Sequence, residues 1–303
     1  MKIKSLLLST LLLCCSCNQT NENITILTPT GAPALAFYNY LESDSFESNS
    51  TPLNIVSSMT EKGSDIVVID TIKGVQTINN GAPYKLAATI TFGNFYIAST
   101  GNDDNNTMDK DDEIVIFGKG QTPDKVFNLI YGSDYNLNYV ASVQEANKCL
   151  VSGKTLDLEK EVDYVFIAQP VLTNALEKNQ NASIYANIQE EYSKVTGKEL
   201  IQASVFVKDT LSKNNTKNFL KSLNNDINEL LEDPNLLNEA TKSIDQQIVS
   251  TKLGVATALA IKTLNNNNSI GLGFKYACEN KEDIDNFISL FNLEITDEKI
   301  YQK

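Results

Sequence analysis

Apolar residues recur along this chain in short blocks divided by glycine, proline and asparagine turns. Ile24-Thr25-Ile26-Leu27 predicts a strand, Thr28 to Pro33 a turn, and Ala34 to Leu41 a helix with Pro33 in its first turn. Leu53-Asn54-Ile55-Val56 predicts a second strand. Ile66-Val67-Val68-Ile69 is a continuous apolar run of the kind found in buried parallel strands, and residues 72–79 read as a helix behind it. Residues 84–100 are rich in β-formers, with Gly93-Asn94 dividing two strand-like halves. The strand–turn–helix order then restarts. Strands are expected at 113–117, 138–141 and 163–168, with helices at 123–131, 143–151 and 171–177. A short strand at 184–188 and a longer one at 200–207 follow, and from Ser212 onward the pattern is mostly helical. Two βα-repeating halves with a helical tail imply an α/β protein of two lobes round a cleft.

Residues 101–112 resemble a calcium loop in composition only. The glycine at the sixth position and the closing glutamate fall at the wrong spacing, so this stretch is read as a solvated linker.

The N-terminus adds an address. Lys2 and Lys4 precede the apolar run from Leu6 to Leu13, which ends in Cys14-Cys15-Ser16-Cys17. A charged start, a short apolar core and a small-residue exit describe an export signal, and the run is too short to span a bilayer. The cysteine-bearing exit, followed by polar residues 18–23, resembles the lipobox of bacterial lipoproteins, in which a cysteine is acylated and heads the mature chain. Cys17, preceded by Ser16, is the preferred lipidation site, with Cys14 and Cys15 as alternatives. The expected arrangement is a leader at 1–16 and a lipidated tether at 17–23, holding the protein outside the cytoplasmic membrane.

Composition removes several classes of function. There are 38 acidic residues against 25 basic ones, a net charge of −13, which argues against nucleic acid and against electrostatic attachment to anionic lipid. The chain has no histidine, and every basic residue is lysine. Histidine-dependent triads and imidazole metal sites are therefore excluded, as is bidentate arginine recognition of carboxylate or phosphate. No catalytic residue, metal site or cofactor is expected. Beyond the leader only Cys149 and Cys278 remain, and both are read as small buried hydrophobes.

Three segments together resemble a known family. They are Leu27 to Ala36, Gly63 to Ile69, and Gly81 to Thr89 running into Phe92-Gly93-Asn94-Phe95-Tyr96. In this order behind a lipobox they resemble the substrate-binding lipoproteins of ABC importers, in the group that takes thiamine precursors, aliphatic sulfonates and related solutes. The likeness covers most of residues 24–210 and weakens in the helical tail. It implies a type II periplasmic-binding fold with a first lobe at 24–100 and 205–303, a second at 101–204, and crossings near 94–113 and 196–204. It further implies a monomer that traps a small molecule and passes it to permease subunits. Enzymes of menaquinone synthesis share this fold but work in the cytoplasm, and a surface interaction lipoprotein that lost its pocket is a third possibility. The cysteine-rich motif of eukaryotic pyrimidine-making relatives is absent.

Ligands of open α/β sheets sit beyond the carboxyl ends of the strands, which nominates the residues there. Thr30, Gly31 and Ala32 form a first glycine-bearing turn before a helix, and Gly118, Lys119, Gly120 and Thr122 form a matching turn in the second half. Both are candidate cradles for a polar or anionic group, Lys119 supplying charge. Ser58, Asp70, Thr71, Ser142 and Gln169 lie at other strand ends, where Asp70 also suits a helix cap. Phe92 and Asn94, at the crossing, are placed to stack on a planar ligand, and strand alternation would send them to one face with Tyr96. The expected solute is small, organic and planar or anionic, with thiamine-precursor pyrimidines and sulfonates the first candidates.

Overall fold

The computed structural model describes residues 24–61, 63–102, 107–267, 269–295 and 301–302. The export signal, Cys14, Cys15, the Cys17 lipidation site and the tether lie outside the described residues, as do residues 103–106 of the linker.

The chain builds two mixed α/β layers. The first sheet holds β1 (Ile26–Pro29), β2 (Phe46–Asn49), β3 (Ile66–Asp70), β4 (Tyr84–Phe92), β10 (Ile201–Lys208) and β11 (Leu272–Tyr276), in the order β11-β4-β10-β3-β1-β2. The second holds β5 (Phe95–Ser99), β6 (Ile114–Phe117), β7 (Leu137–Val140), β8 (Tyr164–Ala168) and β9 (Ser183–Asn187), in the order β7-β6-β8-β5-β9. In each sheet the βα-derived strands run parallel, β2 and β3 beside β1, and β7 and β8 beside β6. The crossing strands are antiparallel: β10 lies between β3 and β4, and β5 lies between β8 and β9. The continuous apolar runs of β3 and β8 are buried on both faces, as helix-covered strands must be.

Helices α1 (Ala32–Leu35), α2 (Pro52–Thr60), α3 (Thr71–Asn79), α4 (Thr122–Tyr131), α5 (Val143–Ser152), α6 (Val171–Lys178) and α7 (Ile188–Thr196) follow strands of the two halves. The tail supplies α8 (Lys213–Glu232), α9 (Leu236–Thr241), α10 (Gln246–Leu253), α11 (Thr257–Asn265) and α12 (Lys281–Ser289). In α8, Phe219, Leu220, Leu223, Ile227 and Leu230 recur at three- and four-residue steps and are all buried. Ser212 starts that helix by accepting a hydrogen bond from the Asn215 N–H at 3.2 Å.

Several expectations change. Leu53 to Val56 is not a strand; it lies in α2, where Pro52 occupies the first turn and Ile55 and Met59, one helical turn apart, face the core. The second strand is instead the polar segment Phe46–Asn49 at the sheet edge. The helix expected over 34–41 is a four-residue α-helix followed by a 3-10 turn at Tyr38–Tyr40. The first crossing is immediate, at Gly93-Asn94, so β5, within the stretch 24–100 expected for the first lobe, belongs to the second sheet. β11 interrupts the helical tail and pairs antiparallel with β4. Cys149 is buried as expected, but Cys278 is exposed, one residue after the buried Ala277 in the turn that ends β11. Among the described residues no helix is long and apolar enough to cross a membrane.

Candidate ligand cleft between the two sheets

A cleft enclosing about 140 Å³ opens where strand ends of both sheets converge. Pro29 to Pro33, Ile69 and Asp70 wall it on the first lobe; Phe117, Gln121, Ser142, Gln144 and Gln169 wall it on the second. The crossings supply the floor through Asn94 and Phe95 on one strand pair and Gln202 and Ala203 on the other.

That floor is a closed amide network. The Asn94 N–H donates to Gln202 Oε1 at 3.0 Å and Gln202 Nε2 donates back to Asn94 Oδ1 at 2.6 Å. Asn94 Nδ2 also reaches the Ile270 carbonyl at 3.0 Å, and the Gln169 N–H donates to the Asn94 carbonyl at 3.1 Å. Asn94, Gln202 and Gln169 are all buried, and satisfied buried amides fix geometry. Asn94 therefore ties the crossings together with its own side chain. Thr71 supports the same floor from beneath, its hydroxyl donating to the Gln202 carbonyl at 2.9 Å, rather than lining the cleft.

The first glycine turn lines the cleft as expected. Gly31 holds φ 94° and ψ −146°, a conformation that in practice only glycine takes. Its N–H, however, donates to the Leu253 carbonyl at 2.8 Å, and Pro33 has no N–H, so this short helix start offers few amides to an anion. Thr30 instead reaches across the cleft, its Oγ1 accepting from Gln144 Nε2 at 2.9 Å. Gln144 Oε1 is left buried with no hydrogen-bond partner. Ser142 caps α5 by accepting from the Glu145 N–H at 3.3 Å while also lining the cleft.

The second glycine turn behaves differently. Gly118, Lys119, Gly120 and Thr122 lie beside the cleft, and only Gln121 and Pro123 of this segment line it. The Gly120 N–H donates to Asp124 Oδ2 at 2.7 Å, and the Thr122 N–H donates to Asp70 Oδ2 at 3.1 Å. Lys119 sits over the Tyr139 ring, 4.8 Å from its centroid, instead of over the cleft. Asp70 thus joins two helix starts on opposite lobes, since its Oδ1 also accepts from the Lys73 N–H at 2.9 Å and caps α3. Burial pushes the Asp70 carboxyl up from the usual carboxylate range, against hydrogen bonds from Thr122 and Lys73 and the nearby Lys73 charge. Among the described residues it is the one ionisable side chain in the cleft wall.

Two nominated residues fall elsewhere. Ser58 lies within α2 and accepts from the Ser64 N–H at 3.3 Å, because the strand expected before it is a helix. Phe92 faces a separate hollow on the far side of the crossing, where Lys275 Nζ stands 5.0 Å from its ring centroid. Gly93, at φ 50°, breaks the alternation that was to carry Phe92 and Asn94 to one face, and it brings Phe95 into the cleft. Phe95 meets Phe117 edge to face at 5.9 Å. Sequence reasoning missed Phe95, Phe117, Gln144 and Gln202. A glutamine within the apolar strand 200–207 was the available signal for Gln202. Among the described residues no group of acidic or cysteine side chains is placed to hold a metal ion.

Comparison with known proteins adds the fold. No family model matches the chain, and no curated protein matches it. Solved structures do. An ABC transporter structure from Parabacteroides distasonis superposes with TM-score 0.71 at 19% identity, covering 93% of this chain and 99% of that one. The alkanesulfonate-binding protein SsuA of Xanthomonas axonopodis pv. citri, bound to MOPS, gives 0.62 at 12% identity over 92% and 96% of the two chains. The Candida albicans CA3427 gene product, described as having the generic periplasmic binding protein fold, gives 0.55 at 10% identity over 91% and 92%. The fold is that of a type II periplasmic binding protein. Within this fold the cleft described above lies at the junction of the two lobes, and Asn94–Gln202 lies in the crossings that join them.

Proposed function

We propose that the protein is the solute-binding component of an ABC importer, held outside the cytoplasmic membrane by lipid on Cys17, and that it captures a small planar organic molecule between its lobes. One observation carries this reading above the others: the cleft is walled by strand ends from both sheets and floored by the two crossings, so a bound molecule touches both lobes at once. A ligand with contacts on both lobes favours the closed arrangement by its differential affinity, and hinged closure is the motion such crossings permit. Likeness to structures named as an ABC transporter and as an alkanesulfonate-binding protein agrees with it. The absence of histidine agrees too, since capture needs no general base.

The cleft is open to solvent, and its volume admits a single ring. A cavity of about 150 Å³ holds benzene, and the cleft encloses about 140 Å³. Phe95 and Phe117 supply aromatic surface, and glutamines lie beside them in the cleft wall. A pyrimidine of the thiamine-precursor type fits these terms, and an aliphatic sulfonate is the competing candidate.

A thermal-shift panel of pyrimidines, sulfonates, flavins and carboxylates tests the reading. A ligand at a hundred times its Kd adds about 2.7 kcal/mol to stability, which raises Tm by roughly 5 °C or more for a chain of this size. A one-ring member of the panel is expected to do so. No shift from any member contradicts solute capture by this cleft.

A further inference from the structure

We propose that the C-terminal segment from Ser269 to Phe291, which lies beyond the reach of the sequence resemblance, straps the two lobes together across the hinge and limits how far they swing. Such a strap sets the lobe angle whatever the solute, so it stands apart from the choice of ligand.

The strap begins at the first crossing. Gly93-Asn94 carries the chain from β4 of the first sheet to β5 of the second, and a glycine link is a joint that can absorb a change of φ and ψ. Residues 269–271 lie against both sides of that joint. The Phe92 N–H, at the end of β4, donates to the Gly271 carbonyl at 2.7 Å. Asn94 Nδ2 donates to the Ile270 carbonyl at 3.0 Å, and the Tyr96 hydroxyl, already on β5, donates to the Ser269 carbonyl at 3.4 Å. Consecutive carbonyls of one short run thus hold the hinge from the first lobe into the second. A Cβ on Gly271 would overlap the Phe92 carbonyl oxygen, so the two backbones come this close only because the residue is glycine.

The chain then returns to the first lobe as β11 and reaches the second again through α12. Its anchors on the first lobe are the Ala277 N–H, which donates to the Ala87 carbonyl of β4 at 2.9 Å, and the Glu294 carbonyl, which accepts from Asn79 Nδ2 of α3 at 2.7 Å. Between these anchors α12 buries Ile284, Phe287 and Ile288, which share one helical face. Phe287 meets Tyr192 of α7 edge to face at 6.4 Å, and Lys125 Nζ of α4 stands 5.8 Å from the Phe291 ring centroid. Both of those helices belong to the second lobe. Lys198, just past α7, pairs with Asp283 at 2.9 Å, but both side chains are well exposed and such a pair adds little. The apolar contact does the holding. Swinging the lobes apart at this seam exposes Phe287 and Tyr192 to water, and pressing them closer meets packed rings.

Double electron–electron resonance on the full chain tests this, with spin labels carried by p-acetylphenylalanine at positions 53 and 141. Leu53 and Ala141 are exposed, and each adjoins a cleft-lining residue, Pro52 on the first lobe and Ser142 on the second. The wild type is expected to give one narrow distance distribution. Phe287→Leu keeps apolar bulk but loses the ring pair, and is expected to raise the population at displaced distances about 2- to 10-fold. Gly271→Ala, which forces the tail off the crossing, is expected to broaden the distribution further. If it does not fold, Tyr96→Phe removes only the bond to Ser269 and is expected to broaden the distribution by less. Phe219→Ala is the control, because its ring packs on Phe37 and Tyr40 within the first lobe. It is expected to lower stability and leave the distance unchanged. An unchanged distribution in Phe287→Leu overturns the strap and leaves solute capture standing, which the ligand panel judges separately. A wild type already broad overturns it too, as does equal broadening in Phe219→Ala.

Discussion

The turns Thr30–Ala32 and Gly118–Thr122 look alike as sequence, each a glycine-bearing link from strand to helix, yet they end in different jobs. The first faces the cleft and crosses it through the Thr30–Gln144 hydrogen bond. The second stands aside, its helix start closed by Asp124 and by Asp70 from the other lobe. What separates them is a partner about fifty residues away in sequence rather than anything within the turn itself. A helix start can serve a ligand or serve the protein, and here the amides of Gly31, Gly120, Gln121 and Thr122 are taken by the protein itself.

The two glycines offer the sharpest way to break this comparison. A Cβ at Gly31 or Gly120 meets no atom within 4 Å, so substitution at either tests backbone conformation alone. Gly31→Ala is expected to cost about 1–3 kcal/mol and to weaken solute binding, because the distorted turn lines the cleft. Denaturant unfolding and ligand titration measure the two effects. Gly120→Ala, at φ 72°, is expected to cost about 1–2 kcal/mol with binding unchanged. Equal binding losses at both positions would show that the second turn contacts solute after all. Thr30→Val removes the bond to Gln144 and is expected to cost about 1 kcal/mol, again read by denaturant unfolding.

The smallest effect is a pH dependence at Asp70, which bonds the starts of α3 and α4. The Asp70 carboxyl is raised in the folded protein by burial, so its favourable contribution is present in acid and is lost as pH rises through its folded value. Wild-type stability measured against Asp70→Asn is therefore expected to rise as pH falls from about 7 towards about 4. The same comparison for Thr30→Val should stay flat. A difference that shrinks on acidification would reverse the assigned direction.

Much of the fold was legible because burial on both faces leaves continuous apolar runs, as in residues 66–69 and 163–168. Leu53 to Val56 misled because four residues cannot separate a period of two from a period of 3.6. Pro52 and the Ile55–Met59 spacing carried the helical signal. β11 was hidden by its glycine and its lysine, which an edge strand tolerates. In the site, Thr30, Gly31, Ala32, Asp70, Asn94, Ser142 and Gln169 do come together round the cleft. Phe92 was lost because positive φ at Gly93 resets the alternation, and Phe95 was gained for the same reason. Lys119, Gly120 and Thr122 failed as a cradle because Tyr139 holds the lysine, Asp124 takes the Gly120 amide, and Asp70 takes the Thr122 amide through a contact made only in the tertiary fold. No local pattern encodes that contact.

Solute capture between the lobes is tested most directly by native mass spectrometry of freshly purified protein beside Ala203→Phe. Ala203 lies on the cleft floor, and a phenyl group there adds bulk to the space a solute would occupy. The wild type is expected to carry the added mass of one small one-ring molecule that is lost on unfolding, and Ala203→Phe to carry none. An adduct of equal mass on both proteins, or a bound molecule too large for the cleft, would contradict capture at this site.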